Sequence, residues 1–322
     1  MTKALRIHHP GGPDALTWDD VEAGDPGAGE VRLRHSAIGV NFLDTFHRRQ
    51  PGLFPSYPAV IGVEGAGHIE AVGTGVADFA VGDRAAYALS RGSYAQVRLI
   101  DAAALVRIPH GINDETAAAG LTKGITVHHL FNGVRKIVAG EKILFHAAAG
   151  GVGLIACQWA RHIGATLIGT VGSDEKAALI KSKGAAHAIV YTREDFAERV
   201  MEITKDRGCD AVFDSVGKDT IEGSLKCVAK YGTLATYGSA SGPRPELTSA
   251  QLPVSTTFAK ASIATLVALP DLYRAAAAEF FALVADGAIS VEINQRYALE
   301  DGARAHADLE ARKTTGSTIL VP

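Results

Sequence analysis

Between residues 142 and 237, short apolar runs alternate with longer segments of helical character, and this alternation limits the possible folds more than any other feature. The predicted strands cover 142–146, 166–171, 188–191, 211–214 and 232–237. The predicted helices cover 152–163, 174–183, 193–204 and 220–228. Strands and helices that alternate in this way form βαβ units. We therefore expect an α/β fold with a doubly wound parallel sheet and helices on both of its faces.

The segments before residue 142 and after residue 237 have a different pattern of apolar and polar residues. In the first 120 residues, apolar runs at 31–38, 67–72, 84–88 and 94–99 are separated by glycine and proline turns, which indicates a compact β-barrel or sandwich. Near the end, helices are predicted over 272–286 and 301–312, followed by a strand over 317–321. We expect this strand to pair with the first domain. The predicted domains are 1–122, 123–265 and a returning segment, 266–322.

Composition narrows the classes of function. The net charge is −3, and no run of lysine or arginine is present, which argues against nucleic acid as the main partner and against an anionic membrane. The three cysteines have no disulfide or zinc-knuckle spacing. The longest apolar stretch, near 263–285, is broken by proline and by charged residues, and the start of the chain does not resemble a secretory signal. These features favour a cytoplasmic protein.

The sequence HAAAGGVG, at 146–153, follows a predicted strand and opens a predicted helix. This is the context that a dinucleotide-binding turn requires. Ala148 takes the first of the three usual glycine positions, whereas Gly150 and Gly153 take the other two. Gly150 would let a pyrophosphate approach the backbone, Gly153 would let helix and strand pack closely, and the helix N-terminus would supply free N–H groups. The alternative is a tight turn without a ligand.

The end of the next strand indicates which nucleotide binds. NAD-binding units carry an acidic residue there, about 20 residues after the glycines, to hold the ribose hydroxyls. Here the strand is followed by Ser173, and Lys176 comes one helical turn later. A cation without a carboxylate at the strand end suits a 2′-phosphate, so NADPH is favoured over NADH. Asp174 and Glu175 oppose this interpretation, although acids are expected in a first helical turn.

Several longer motifs extend over nearly the whole chain: GVNFLDTF at 39–46, GVEGAGHIEAVGTGV at 62–76, GLTKGITV at 120–127, FDSVG at 213–217, YGSASG at 237–242 and the final GSTILVP. Together with the glycine turn, they resemble the quinone oxidoreductases and zeta-crystallins of the medium-chain dehydrogenase/reductase superfamily. The resemblance implies a GroES-like β-barrel catalytic domain, a Rossmann domain with NADPH between the two, and a homodimer. It also implies reduction of quinones or other conjugated carbonyl compounds in the interdomain cleft.

The resemblance assigns the site residue by residue. The implied cofactor positions are Asn41, Thr126, Gly150, Val152, Gly153, Ser173, Lys176, Tyr191, Ser215, Gly238, Ser239, Lys260 and Arg312. Two departures matter. Lys260 stands where relatives often have arginine, so that a bidentate contact becomes a point charge. Phe46 and Phe54 stand where close relatives have tyrosines, which removes two phenols as proton donors.

Zinc is not expected. Zinc alcohol dehydrogenases share the implied architecture, and their ligand positions fall on Asn41 and Val63. Zinc would need cysteine or histidine at such positions, and neither residue can take that role. Without a metal, positioning of the acceptor would supply much of the rate. Asn41 is the candidate for a hydrogen bond to the nicotinamide or the acceptor oxygen, and Asp44 is expected to orient its neighbours. His47 is a further candidate proton donor.

The acceptor itself stays open. Phe42, Phe46 and Phe54 are the predicted lining of the substrate pocket, and an apolar lining suits either a quinone or the electron-poor C=C bond of an enone, enal or enoyl thioester. A third hypothesis is a nucleotide-binding protein without turnover, as in lens crystallins. The intact glycine turn, together with Lys176 and Arg312, argues against it.

Overall fold

The computed structural model describes all 322 residues. The chain forms two compact units. The first unit comprises Met1–Lys123, Val267–Ala285 and Val291–Pro322, and the second comprises Gly124–Leu266 and Asp286–Ser290. No helix has the length and apolar character needed to cross a lipid bilayer.

The strands, in chain order, are β1 (Thr2–Ile7), β2 (Leu16–Val21), β3 (Glu30–Val40), β4 (Ala59–Val60), β5 (Glu64–Val72), β6 (Arg84–Tyr87), β7 (Val97–Asp101), β8 (Leu105–Arg107), β9 (Lys142–Phe145), β10 (Thr166–Val171), β11 (His187–Val190), β12 (Cys209–Asp214), β13 (Val228–Thr236), β14 (Thr257–Lys260), β15 (Ile293–Ala298) and β16 (Ser317–Val321). The helices are α1 (Phe42–Arg49), α2 (Asp114–His128), α3 (Gly151–Ile163), α4 (Asp174–Ser182), α5 (Phe196–Thr204), α6 (Ile221–Lys226), α7 (Ile263–Val267), α8 (Pro270–Ala285) and α9 (Gly302–Glu310). A π-helical turn at His129–Val134 follows α2.

The second unit is built on a six-stranded sheet with the order β11-β10-β9-β12-β13-β14, and every neighbouring pair is parallel. Numbered within the unit, this is the order 3-2-1-4-5-6 of dinucleotide-binding folds, and the direction of winding reverses between β9 and β12. The predicted doubly wound parallel sheet is confirmed. Such sheets bind their ligands outside the carboxyl ends of the strands at this reversal, which places the glycine turn after β9 in the expected location.

The sheet of the second unit is buried. Ile143, Leu144 and Phe145 of β9 have no exposed surface, as expected for a strand covered on both faces. Leu144 packs in a cluster with Ile168 and Val212 from the two neighbouring strands. Each such side chain contributes about 1.5–3 kcal/mol when it is fully buried. All three cysteines are buried in this unit and form no disulfide.

The first unit contains a mainly antiparallel seven-stranded sheet in which β3 is central. One edge of β3 pairs with β5 throughout its length. The other edge is shared, because Glu30 to Arg34 pair with β7, whereas Ile38 to Val40 pair with β16 from the end of the chain. The terminal strand therefore adds to the β-rich fold of the first unit. A separate three-stranded sheet has the order β2-β1-β4.

Helix α1 lies between strands of the first unit, where the sequence predicts no element, and helix α2 follows those strands and continues into the second unit. Helix α1 reverses the usual amphipathic pattern, in which the buried side chains are apolar, because it buries Asp44, Thr45 and Arg48. Helix α2 packs closely on α8, since a Cβ atom added at Gly120 would lie 2.8 Å from Phe280.

Candidate active site

The loop between β9 and α3 forms an open backbone cradle. Gly150 is the N-cap residue of α3, no side chain caps the helix, and no acidic residue lies in the first turn, which contains Val152. A Cβ atom at Gly150 would make one ordinary contact, at 3.4 Å from the carbonyl oxygen of Ala147, so no neighbouring group crowds this backbone. A Cβ atom at Gly153 would lie 2.4 Å from the carbonyl oxygen of Ala148. Gly153 thus allows close packing, whereas Gly150 leaves room for a ligand, and the uncapped N-terminus suits a phosphate.

The loops after β12 and β13 lie beside each other at the same edge of the sheet. Ala240 donates its backbone N–H to the carbonyl oxygen of Ser215 at 3.1 Å, and Ser239 accepts from Gly242 at 2.9 Å. A Cβ atom at Gly238 would lie 2.6 Å from the Ser215 oxygen, so only glycine permits this approach. These predicted cofactor residues are therefore brought together in one place.

A buried polar network supports the same loops. Asp214 at the end of β12 accepts hydrogen bonds from the backbone N–H groups of Val216 (2.9 Å) and Gly217 (3.0 Å) and from the hydroxyl of Ser224 (2.8 Å). Because Ser224 donates to Asp214, it accepts from Nε2 of His146 at 3.0 Å. Burial lowers the pKa of His146, which keeps the imidazole neutral. This network fixes the strand ends that carry the candidate cofactor residues.

The predicted ribose end of the site lies after β10 and β11. Ser173 is the N-cap of α4, and its hydroxyl accepts from the backbone N–H of Lys176 at 3.3 Å. A Cβ atom at Gly172 would be 3.1 Å from the hydroxyl of Tyr191, whose side chain is partly exposed. Ser173 and Lys176, at the start of α4, and Tyr191, directly after β11, thus lie just beyond the ends of two neighbouring strands.

The remaining predicted cofactor residues are more widely placed. Thr126 lies in the buried part of α2, and Lys260 is the last residue of β14. Arg312 follows α9 with a left-handed backbone, φ 57°. Thr126 and Lys260 belong to the second unit, whereas Arg312 belongs to the first.

In the first unit, Asn41 belongs to a buried charged cluster. Its Nδ2 donates to Oε2 of Glu64 at 2.8 Å, and its Oδ1 accepts from Nζ of Lys123 at 3.3 Å. Lys123 and Glu64 also form an ion pair at 3.2 Å, with side-chain exposures of 6% and 0%. The backbone N–H of Thr122 donates to the second oxygen of Glu64 at 2.6 Å. The two charges hold the Asn41 amide in one orientation, with its nitrogen toward the carboxylate.

Asp44 lies in the first turn of α1, three residues after the N-cap residue Asn41. Its Oδ2 accepts from the backbone N–H of Asn41 at 2.8 Å and from the hydroxyl of Tyr94 at 3.1 Å, whereas its Oδ1 has no hydrogen-bond partner. Burial raises the pKa of Asp44 to about 7, and the charge of Glu64 adds to the rise, whereas the two hydrogen bonds and Lys123 lower it. Asp44 has no exposed surface.

Tyr94 continues this chain of hydrogen bonds to the C-terminal helix. Its hydroxyl lies 2.8 Å from Nε2 of His306, and Nδ1 of His306 lies 2.7 Å from Nη1 of Arg48. Because an arginine only donates, Nδ1 accepts and Nε2 carries the proton. The hydrogen bonds therefore run in one direction, from Arg48 through His306 and Tyr94 to Asp44. Burial, reinforced by Arg48 and Arg49, lowers the pKa of His306 to about 3.

The predicted pocket aromatics lie on α1 and in the loop that follows it. Phe42 and Phe46 contact edge to face, with ring centroids 5.6 Å apart. Phe54 packs instead against Tyr57 (6.2 Å) and His47 (6.5 Å). Burial lowers the pKa of His47 to about 4, helped by the charge of Arg91, so that it is a neutral side chain near pH 7.

Comparison with known proteins identifies the family. Residues 27–110 match the family model of the alcohol dehydrogenase GroES-like domain, and residues 151–280 match the model described as zinc-binding dehydrogenase. The chain is 46% identical over 330 residues to a quinone oxidoreductase of Pseudomonas aeruginosa, with 100% of both chains covered. The chain belongs to the quinone oxidoreductase family. It is therefore an oxidoreductase of the medium-chain dehydrogenase/reductase superfamily, and the predicted combination of a GroES-like and a Rossmann domain is confirmed.

Two more relatives of this quinone oxidoreductase family member are informative. It is 41% identical over 337 residues to a 2-haloacrylate reductase of a Burkholderia species, covering 100% of this chain and 99% of the relative. The crystal structure of the Escherichia coli quinone oxidoreductase complexed with NADPH has a TM-score of 0.96 at 39% identity, covering 99% of this chain and 100% of that chain.

The donor residues of this family member bear on metal binding. No group of three or more histidine, cysteine, aspartate or glutamate side chains has an arrangement that would hold a metal ion. Val63, at one implied ligand position, is apolar and buried. The matching family model is named for zinc, and zinc independence stays a prediction that metal analysis tests.

Sequence reasoning missed six residues that surround the predicted catalytic pair. These are Arg48, Glu64, Tyr94, Lys123, His306 and Glu310. For two of them a signal was available, because Glu64 and Lys123 are single charges within otherwise apolar stretches. A charge in such a position is rarely buried without a partner. Their pairing with Asn41 was not evident from the sequence.

Proposed function

We propose that this chain catalyses the NADPH-dependent reduction of quinones and does not use zinc. The observation that carries the proposal is the uncapped, glycine-lined N-terminus of α3 at the reversal point of the 3-2-1-4-5-6 sheet. The residues present fit the cofactor, because Gly150 places no side chain at the N-terminus of α3 and the first turn of the helix has no acidic residue to repel a pyrophosphate. The NADPH complex of the Escherichia coli relative supports the choice of cofactor.

Within this proposal, the chain supplies a fixed environment, and NADPH supplies the hydride when it is bound. The α3 N-terminus, with Gly150, Val152 and Gly153, would hold the pyrophosphate, and Ser173 and Lys176 would hold the 2′-phosphate. The proposed positions for the rest of the cofactor are Asn41, Thr126, Tyr191, Ser215, Gly238, Ser239, Lys260 and Arg312.

Asn41 is the residue that we assign to the acceptor or nicotinamide amide. Glu64 and Lys123 hold its amide at 2.8 and 3.3 Å, so the amide is already oriented before a substrate binds. Asp44 has no exposed surface, and its oxygen accepts the Asn41 backbone N–H. We therefore assign it a positioning role beneath Asn41 and not that of a base toward substrate. Phe42, Phe46 and Phe54 would line the acceptor pocket.

A second candidate function is NADPH-dependent reduction of an electron-poor C=C bond, as in enones, enals or enoyl thioesters. The 41% identity to a 2-haloacrylate reductase over the whole chain favours it. The aromatic positions 46 and 54 do not separate the two candidates, since phenylalanine donates no proton to either acceptor.

The test is oxidation of NADPH and of NADH, followed by absorbance, with 1,2-naphthoquinone, benzoquinone and a simple enone as parallel acceptors. Preference for NADPH with faster quinone turnover is expected, unchanged by a chelator and with no zinc found by elemental analysis. Turnover of the enone alone would move the assignment to the C=C reductase. Preference for NADH would contradict the role given to Lys176, and loss of activity with the chelator would contradict zinc independence.

We further propose that the protein is a cytoplasmic homodimer and that its domain boundaries follow the two compact units. Support comes from the family to which the chain belongs and from the division of its contacts at Lys123 and Leu266. Light scattering of the purified protein measures the mass directly and should give twice the 33.6 kDa of one chain.

A further inference from the structure

The ribose end of the proposed cofactor site contains an acidic residue that conflicts with a 2′-phosphate. Asp174 is the first residue of α4, immediately after Ser173 and three residues after β10 ends at Val171, close to where NAD-binding folds place a carboxylate. A free carboxylate here would attract ribose hydroxyls and repel a phosphate that carries between one and two negative charges. The neighbouring Lys176 supplies a single positive charge to set against it.

The structure pairs Asp174 with an arginine from the adjacent loop. Nη1 and Nη2 of Arg193 donate to Oδ2 and Oδ1 of Asp174 at 2.6 and 2.5 Å, an arrangement in which the two planar groups face each other. The Arg193 guanidinium lowers the pKa of Asp174 through these hydrogen bonds and through its charge. The two other acids of this loop are engaged elsewhere, since Glu194 pairs with Arg199 at 3.1 Å and Asp195 accepts the first N–H groups of α5.

The backbone explains why these two residues meet. Strands β10 and β11 are parallel neighbours, with Val171 opposite Val190, so the loops that follow them leave the sheet side by side. The Tyr191 N–H donates to the Val171 carbonyl at 3.1 Å, and the Thr192 hydroxyl donates to the Gly172 carbonyl at 3.4 Å. Arg193 is the next residue and lies beside the first turn of α4.

We propose that Arg193 neutralises Asp174 and is thereby a specificity-determining residue that makes the ribose end of the site acceptable to a 2′-phosphate. This inference rests on the proposed NADPH dependence. Both side chains are largely exposed, at 57% and 72%, so the pair adds little to folding stability. Its effect is local, because replacing a neutral pair by a lone carboxylate changes the potential at the phosphate position.

The experiment measures binding and not turnover. Isothermal titration calorimetry at low ionic strength would give Kd values for NADPH and NADH, and for the fragments 2′,5′-ADP and 5′-AMP, with the purified full chain. In Arg193→Ala, NADPH and 2′,5′-ADP are expected to bind roughly three- to tenfold more weakly, whereas NADH and 5′-AMP, whose ribose hydroxyls a freed Asp174 would attract, should bind equally well or more tightly. The loss should shrink at 0.5 M salt, where the Debye length is only about 4 Å.

The double variant Asp174→Asn/Arg193→Ala decides the mechanism. If Arg193 acts by neutralising Asp174, removing both charges returns the NADPH affinity to within about twofold of the parent chain. If the double variant stays as weak as Arg193→Ala, Arg193 contacts the phosphate itself, and the neutralisation is overturned. Unchanged NADPH binding in Arg193→Ala also overturns it.

A control and a separate criterion complete the design. Arg199→Ala removes an arginine of the same unit that pairs with Glu194, and it should leave all four affinities unchanged. Equal loss of NADPH affinity in Arg199→Ala would mean that only the net charge matters and would overturn the proposal. If the parent chain binds NADPH no more tightly than NADH, the proposed NADPH dependence itself fails, which is a different result from failure of the Arg193 variants.

Discussion

Arg48 of α1, which has no exposed surface, holds Glu310 of α9 through hydrogen bonds of 2.9 and 3.0 Å from a single guanidinium nitrogen. The same guanidinium also donates to the carbonyl oxygen of Gly11 at 3.0 Å and to His306. Arg48 thus joins the helix that begins beside Asn41 to the C-terminal helix of the first unit. Four predictions follow from this pair and from the other contacts described above.

Removing the Arg48 charge should strongly destabilise the protein. Arg48→Met leaves the acceptor nitrogen of His306 without its donor and leaves Glu310, which is 21% exposed, with Arg49 as its remaining cation, so the free energy of unfolding should fall by about 3 kcal/mol, the lower end of the cost of breaking a buried ion pair. Urea unfolding followed by circular dichroism measures the change. Arg49→Met is the matched control, because Arg49 also approaches Glu310 (3.3 Å) but is 47% exposed, so a loss below about 1 kcal/mol is expected. Equal losses would show that Arg48 is not the dominant partner.

The stability should depend on pH through His306. Its pKa in the folded chain is lowered to about 3 from 6.5, so between these values the unfolded chain binds one more proton than the folded chain. This contribution to stability is present above pH 6.5 and is lost as the pH falls toward 3. In His306→Gln, the slope of unfolding free energy against pH between 4 and 6 should fall by about 1.4 kcal/mol per pH unit.

The control for this measurement is His110→Gln, in which an exposed histidine is replaced. Its slope should match that of the parent chain, because the side chain is in water before and after unfolding. A parent-like slope in His306→Gln would show that His306 does not titrate as a buried neutral group.

The charges around Asn41 should behave as one unit. Lys123→Met leaves Glu64 buried without its cation and is expected to lower the free energy of unfolding, measured by urea denaturation, by about 3–5 kcal/mol. In Glu64→Gln/Lys123→Met no uncompensated charge remains, and the glutamine oxygen still accepts from Thr122, so most of the loss should be recovered. A thermodynamic cycle over the parent chain, Lys123→Met, Glu64→Gln and the double variant should give a coupling energy above about 2 kcal/mol. Additive losses would mean that the pair is not coupled.

The two glycines of the α3 turn should separate folding from cofactor binding. A Cβ atom at Gly153 would lie 2.4 Å from Ala148, so Gly153→Ala should lose about 1–3 kcal/mol of stability. Gly150→Ala meets nothing closer than 3.4 Å and has an extended backbone (φ −77°, ψ 171°), so its stability should stay within about 1 kcal/mol of the parent chain. NADPH affinity should nevertheless fall at least tenfold in Gly150→Ala, because the methyl group occupies the space left for the pyrophosphate. Parent-like binding would contradict the cradle.

The regular elements of the second unit follow from local sequence. The predicted and observed bounds of β10 agree, since a largely apolar run between Gly164 and Gly172 leaves little choice. Helix α5 begins at Phe196 and not at 193, because the side chain of Asp195 accepts the N–H groups of Ala197 and Glu198 and so starts the helix. Strand β7 lies at Val97–Asp101 and not at 94–99, since Tyr94 turns inward to Asp44.

The first unit was harder to predict, for a physical reason. Helix α1 buries Asp44, Thr45 and Arg48, and Leu43 is 39% exposed, which reverses the pattern that helix prediction relies on. This arrangement is stable only because distant residues satisfy the buried groups. His306 and Glu310 lie 258 and 262 positions from Arg48 along the chain, and no pattern in the sequence near Arg48 predicts partners at such a distance.

The pairing of β16 with β3 also sets the order in which the chain folds during synthesis. Strand β3 is made by the time residue 40 is added, whereas β16 and the α9 residues that satisfy Arg48 are made more than 250 residues later. All six strands of the parallel sheet are synthesised before residue 261, so the second unit has its sheet while the first still lacks two strands. In a nascent chain at that stage, Ile38 to Val40 of β3 lack their partner strand and Arg48 lacks its carboxylate, so the first unit completes its sheet after the second.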